Sequence, residues 1–225
     1  MLINSDFLLR ASLTPDLYQW VESPQPGVER VMLDRFGGEC CRATSIVKYA
    51  EGSHFPTHLH PGGEEILVLN GTFCEGDQQY PEGWYLRNPP GSKHQPSSSS
   101  GTVIFVKLWQ MGENDTGRVR INTKDPSEWI NWGTHEVCPL YSSETECVWL
   151  ERIRPKTKLS TKEFDGCEIL VLEGEVTIDG LHYPVGSWVR LPIGDIPDIH
   201  ASDSKACIYI KTGHLALAVN QGVSV

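Results

Sequence analysis

Apolar residues in this chain recur in short β-rich runs, and helical periodicity is scarce. ATSIVKYA, EILVLNGTF, TVIFVKLW, CVWLERI, EILVLEGEVTI and ACIYIKT carry most of them. Clusters of Gly, Pro and Asp punctuate these runs. Short strands with frequent turn signals predict an antiparallel sandwich or barrel. A modest helical pattern lies near the N-terminus, around Asp16–Trp20.

The runs repeat. EILVLNG at Glu65–Gly71 returns as EILVLEG at Glu168–Gly174, an offset of 103. At the same offset YPEGWYLRNPPG (Tyr80–Gly91) faces YPVGSWVRLPIG (Tyr183–Gly194). One residue further out of step, VIFVK (Val103–Lys107) faces CIYIK (Cys207–Lys211), and D-x-x-x-W occurs at Asp16/Trp20 and again at Asp125/Trp129. Four matches in one order predict two copies of a single β-domain. MGENDTGRVRINT (Met111–Thr123) is the natural join, which sets domains at 1–122 and 123–225.

Composition narrows the class. Hydrophobic residues make up 39% and charged residues 21%, enough for a sizeable core in 225 residues. The formal net charge is −10, with no basic run, which disfavours direct contact with nucleic acid or anionic lipid. The N-terminal MLINSDFLLRASL lacks the apolar core of a signal peptide, and no run approaches a membrane span, so a cytoplasmic protein is expected. Seven cysteines without a C-x-x-C point to reduced thiols. The vicinal Cys40–Cys41 pair reads as strand packing ahead of a redox role.

One stretch concentrates chemistry. HFPTHLHPGGEE (His54–Glu65) places His58 and His60 two apart, so that on a strand both face one side. A PGG turn then lets the chain return with a carboxylate, and His94 follows a second Pro/Gly turn. Three imidazoles and one carboxylate suit a borderline divalent metal such as Zn, Fe, Mn, Ni or Co. Glu64 and Glu65 compete for the carboxylate role, since neighbouring strand residues face opposite ways. His54 lies outside the pattern and is expected at the rim. Arg87 and Arg190 match across the repeat and are expected to serve the fold.

The spacings G-x5-H-x-H-x3-E-x6-G (Gly52–Gly71) and G-x5-P-x-G-x2-H (Gly83–His94) resemble the paired motifs of the cupin superfamily. GGEEILVLNGTF and RNPPGSKHQP are similar to the ChrR-like cupins in particular, over residues 20–110 and more weakly over 125–215. The Asn usual four residues after the second motif's His is replaced by Ser98. The resemblance implies an all-β bicupin of two jelly-roll barrels, with one divalent metal per chain on His58, His60, Glu64 and His94. It favours Glu64 over Glu65, and Glu168 keeps Glu65 but not Glu64 in the repeat. It also implies that the two copies pack as a cupin homodimer does, covering edge strands. Homodimerisation of the whole chain is a further expectation.

In the second copy the ligand positions become Thr161, Glu163, Cys167 and Pro197 or Asp198, with His200 nearby but out of register. This copy is expected to be without metal, with Trp149 and Trp188 helping to fill its barrel; a site from Glu163, Cys167 and His200 is the minor alternative. Three functions stay open. The resemblance implies a stress-response regulator or sensor, as in ChrR-type anti-sigma factors, although the His-x3-Cys-x2-Cys motif of their sigma-binding domain is absent from this sequence. The second is an iron dioxygenase cleaving a small carbonyl or phenolic compound held in the N-terminal barrel. The third is a binding module with a structural metal. No separate acid–base or nucleophilic motif stands out, so no catalytic residue is assigned.

Overall fold

A computed structural model describes residues 1–38, 41–160 and 165–222. Cys40, Thr161 and Glu163 lie outside the described residues. The chain forms two compact units. One combines Met1–Ser5 with Gln19–Lys124; the other combines Asp6–Tyr18 with Asp125 to the C-terminal helix.

Each unit is an antiparallel β-barrel, and the two sheets share one strand order. In the first, Val28–Phe36, Ala43–Tyr49, Thr102–Leu108, Glu64–Glu75, Trp84–Asn88 and Val119–Asn122 lie side by side. In the second, the order is His135–Ser142, Cys147–Ile153, Ala206–Thr212, Cys167–Glu173, Trp188–Leu191 and Ala11–Leu13. Short strands complete each barrel, including Leu181–Pro184, Glu175–Ile178 and Ile199–Ala201 in the second unit. The Asp6–Tyr18 segment is held in the second unit by Ala11–Leu13 pairing with Trp188–Arg190, and by Arg10, which pairs with Asp179 at 2.6 Å and with Asp195.

The interior follows from alternation. Ile66 and Val68 pack with Ile104, Val106, Leu86 and Phe73 in the first barrel. Ile169 and Val171 pack with Ile208, Ile210, Val176 and Ile178 in the second. In both copies the inward parity switches midway along the EILVL strand, from 66 and 68 to 73, and from 169 and 171 to 176 and 178. A bulge causes the switch. Leu69 is skipped in the pairing with Thr102–Leu108, and Leu172 in the pairing with Ala206–Thr212. An extra residue on one strand re-aims everything after it. The glycine that closes each bulge is obligatory: Gly71 and Gly174 have φ of 73° and 69°, and a Cβ on either would lie 2.2 Å from a facing carbonyl oxygen.

Two expectations change on contact with the structure. The helical pattern at Asp16–Trp20 is a single 3-10 turn, Pro15–Leu17, because Pro15 starts the turn and Tyr18 is already extended. Its counterpart, Pro126–Glu128, is the same turn, capped by Asp125 accepting from the Ser127 amide. An α-helix does form at Leu215–Gly222, beyond the repeat. Trp188 does not fill the second barrel. It alternates with the core residue Val189, so it sits on the opposite face of the sheet, fully buried, where its Nε1 donates to Glu168 at 2.6 Å. Trp149 does pack against the barrel core. No described helix is long and apolar enough to cross a membrane.

Candidate metal centre

Two short strands set the imidazoles. His58–His60 pairs antiparallel with Ser92–His94, with His58 opposite His94 and Ser92 opposite His60. The carbonyl of His60 accepts from the amides of both Gly63 and Gly91, at 3.1 and 2.9 Å, so one oxygen ties the two motif turns together. The chain then enters the Glu64–Glu75 strand, where Glu64 lies opposite Asn88. Glu64 shares its face with Ile66 and Val68 and therefore points into the barrel.

The four side chains converge. The Nε2 atoms of His60 and His94 are 2.7 Å apart, and Glu64 Oε2 lies 3.6 Å from the first and 3.3 Å from the second. The ring of His58 stands 4.7 Å from that of His60 and 5.1 Å from that of His94, centroid to centroid. His60 and Glu64 are buried; His58 and His94 are half-buried. The outer nitrogens are already committed. His58 Nδ1 donates to the Pro56 carbonyl at 2.9 Å, and His94 Nδ1 meets Glu75 Oε1 at 2.6 Å. These partners place the proton on Nδ1 and leave a lone pair on Nε2. His60 Nε2, His94 Nε2 and Glu64 Oε2 face one point, where a shared proton or a metal cation bridges them. The donor set fits a divalent ion of borderline softness.

A second layer of polar residues escaped the sequence reading. Glu75 is at the far end of the Glu64 strand, beyond the bulge, and faces the same interior. Asn88 Nδ2 bridges Glu64 Oε2 at 3.1 Å and Glu75 Oε1 at 2.9 Å. Arg120 Nη2 donates to Glu75 Oε2 at 2.7 Å and to Asn88 Oδ1 at 2.6 Å. Burial alone would push the Glu75 carboxyl up, but His94, Arg120 and Asn88 together hold it near 2, so it stays ionised. The two histidines diverge. Burial pushes His60 down, aided by His94 and His58, whereas for His94 the bond to Glu75 and the nearby Glu64 outweigh burial and push it up.

Glu65 lies on the other face. It accepts from the buried Arg87 at 3.3 Å, and Arg87 also pairs with Asp115. Arg190 likewise faces away from its barrel interior, stacked over Phe7 and donating to the Asp6 carbonyl. His54 is exposed. Ser98, in place of the usual Asn, is buried and donates to the Thr72 carbonyl at 2.6 Å.

Among the described residues, the second unit has other side chains at the places of Glu64, Asn88, Glu75 and Arg120. Cys167 stands opposite Leu191 where Glu64 stands opposite Asn88. Ile178 occupies the place of Glu75, and Ser12 pairs with Val189 where Arg120 pairs with Leu86. Cys167 is packed in the aliphatic core, and burial raises its thiol far above the ordinary range. His200 is turned to Asp198 at 3.0 Å. Among the described residues, the groups whose ligating atoms could hold a metal are His58, His60 and His94, and Glu64, Glu75 and His94, all in the first unit.

Barrel topology and a histidine–carboxylate cluster inside one of two barrels define a cupin, duplicated. The profile of the ChrR Cupin-like domain matches residues 10–112 and again 116–216, and the chain belongs to that family. No curated protein matches the sequence. Solved structures of the same fold include YlbA of Escherichia coli, 16% identical over 93% of each chain with a TM-score of 0.67. The bacterial pirin YhhW of E. coli, in complex with nickel(II), is 12% identical over 91% of this chain and 99% of its own, TM-score 0.67. A variant of salicylate 1,2-dioxygenase from Pseudoaminobacter salicylatoxidans is 12% identical over 87% and 77%, TM-score 0.62.

Proposed function

We propose that His58, His60, Glu64 and His94 hold one divalent metal ion, and that the first barrel is a metal-dependent dioxygenase acting on a small carbonyl or phenolic compound. The observation that carries the reading is the convergence of the Nε2 atoms and the Glu64 carboxylate in a barrel, with Nδ1 of His58 and His94 tied back to Pro56 and Glu75. A bound metal supplies Lewis acidity, or redox chemistry with dioxygen if it is iron. The chain does the rest. Glu75 and Arg120 fix the angle of His94. Phe55, 5.8 Å from His58, and Phe73, 6.3 Å from His94, set aromatic rings beside the imidazoles, a surface suited to a flat substrate. Salicylate 1,2-dioxygenase shares the fold, and its name makes hydroxyaryl compounds the first to try.

A second reading rests on the family description: a ChrR-like sensor in which the same ligands hold zinc and the barrel reports stress. Direct DNA contact is unsuited to a chain of net charge −10, so regulation would run through the cupin surface or a metabolite in the barrel. Sigma-factor capture in a pull-down from cell extract would test that arm. Elemental analysis of protein purified without added metal, combined with oxygen uptake on β-dicarbonyl and hydroxyaryl ketone compounds, separates the two. Iron with uptake supports the enzyme; zinc without uptake supports the sensor and overturns the enzyme. Either way, about one metal ion per chain is expected, because among the described residues no such donor set forms in the second barrel. A stoichiometry near two would contradict the assignment.

A further inference from the structure

The second barrel carries a different opening. A cavity of about 550 Å³ is lined by Trp132, Val137, Pro139, Tyr141 and Trp149, with His135 and Glu151 among its walls. Its volume falls in the range of small-molecule sites, about 300–1,000 Å³. His135, Val137 and Pro139 project from one face of their strand, with Ser142 joining them beyond a bulge at Leu140, and Cys147, Trp149 and Glu151 project from the matching face of the next. The same face carries Ile153 of the barrel core. The cavity is therefore an end of the barrel interior.

Its polar floor is not required by the fold. Glu151 lies opposite Ile208, as Val47 lies opposite Ile104 in the first copy. By the same pairing His135 takes the place of Val28, and Trp149 that of Ser45. The first barrel packs Val28 and Val47 at these positions in its apolar core. In the second, Glu151 is only 8% exposed. Its Oε2 accepts from Trp149 Nε1 and its Oε1 meets His135 Nδ1, each at 2.9 Å. Burying a carboxylate where the sister barrel manages with valine costs stability unless the group is used.

We propose that this cavity binds a small organic cation, a protonated amine on an aromatic or alkyl body. The indole of Trp149 gives Glu151 a hydrogen bond without cancelling its charge, and the carboxylate's further lone pairs suit a cationic donor. No Lys or Arg is among the described residues lining the space, so no fixed positive charge there favours an anion over a cation. Trp132, Tyr141 and Trp149 line the space with aromatic rings, the groups whose faces attract ammonium ions. The net charge of −10 draws cations from a distance. Burial pushes the Glu151 carboxyl up, while Trp149 and His135 act against it; an ammonium ion would act in the same direction as they do.

Isothermal titration of the full chain with phenethylamine, and with phenylpropionate as its anionic counterpart, tests this. Phenethylamine should bind with Kd below about 1 mM and phenylpropionate should not. Glu151→Gln should weaken amine binding about tenfold or more by removing the charge but keeping an acceptor for Trp149. Trp132 is 65% exposed, so Trp132→Ala should fold normally and still weaken binding several-fold. Glu64→Gln should leave amine binding unchanged, which separates this cavity from the metal barrel. Absence of amine binding, equal binding of the acid, or binding that falls with Glu64→Gln but survives both Glu151→Gln and Trp132→Ala would overturn the proposal.

Discussion

Replacing Glu64 by glutamine should strip the metal from the protein, weakening its retention by at least about 100-fold. Loss of an outer partner of a ligand typically costs about 10–100-fold in affinity, and Glu64 is closer to the centre than any such partner. Its Oε2 lies 3.3 Å from His94 Nε2 and receives the Asn88 amide at 3.1 Å. Glutamine keeps the size and one oxygen but removes the only negative charge that the proposed set of three imidazoles and one carboxylate offers a divalent ion. Glu65→Gln is the matched control. It disturbs the buried pair with Arg87 on the other face, so it should lower thermal stability while the metal stays. Chelator competition followed by elemental analysis reads both. Metal lost with Glu65→Gln and kept with Glu64→Gln would overturn the assignment of the two carboxylates.

A strand's alternation lets only one of Glu64 and Glu65 enter the site, and the resemblance to the cupin motif picks Glu64, in agreement with a repeat that keeps Glu65 as Glu168. The same alternation hid Glu75. Glu64 and Glu75 are an odd number of residues apart, which on a regular strand places them on opposite faces. The bulge at Leu69 flips the parity, and the signal for it is the Asn-Gly and Glu-Gly that end each EILVL run. Reading those glycines as bulge markers rather than turns would have brought Glu75 inward. Arg120 was hidden for a different reason. It lies in MGENDTGRVRINT, a stretch with the composition of a linker, yet Val119–Asn122 pairs along Trp84–Asn88 as a strand. Pairing between segments so placed depends on tertiary structure, and no local propensity reports it. Trp188 went wrong because an apolar side chain was assigned to the interior by type, whereas its parity with Val189 puts it outside. The antiparallel strands and their repeat were legible in hydrophobic patterning and spacing, whereas the paired barrels and the His58, His60, Glu64 and His94 set came from the resemblance to the cupin motifs.

The second barrel also supplies the variant that isolates the role of Glu75. Glu75→Ala should weaken metal retention by about 10–100-fold, since His94 then loses the group that fixes its tautomer and ring angle. That change alone leaves Arg120 without its carboxylate, so a loss of stability would accompany it and confuse the result. The double change Glu75→Ile with Arg120→Ser copies what the second copy has at the same places, Ile178 and Ser12, in a barrel that folds. It removes the charge and its partner together and fills the space with an aliphatic side chain. We expect thermal stability within about 1–2 kcal/mol of the parent, since replacing a buried ion pair with hydrophobic packing is often neutral. Metal retention should still fall by about 10–100-fold, with His58, His60, Glu64 and His94 all intact. Retention equal to that of the parent protein would show that His94 holds its orientation from the barrel alone, and that Glu75 and Arg120 are there for the fold.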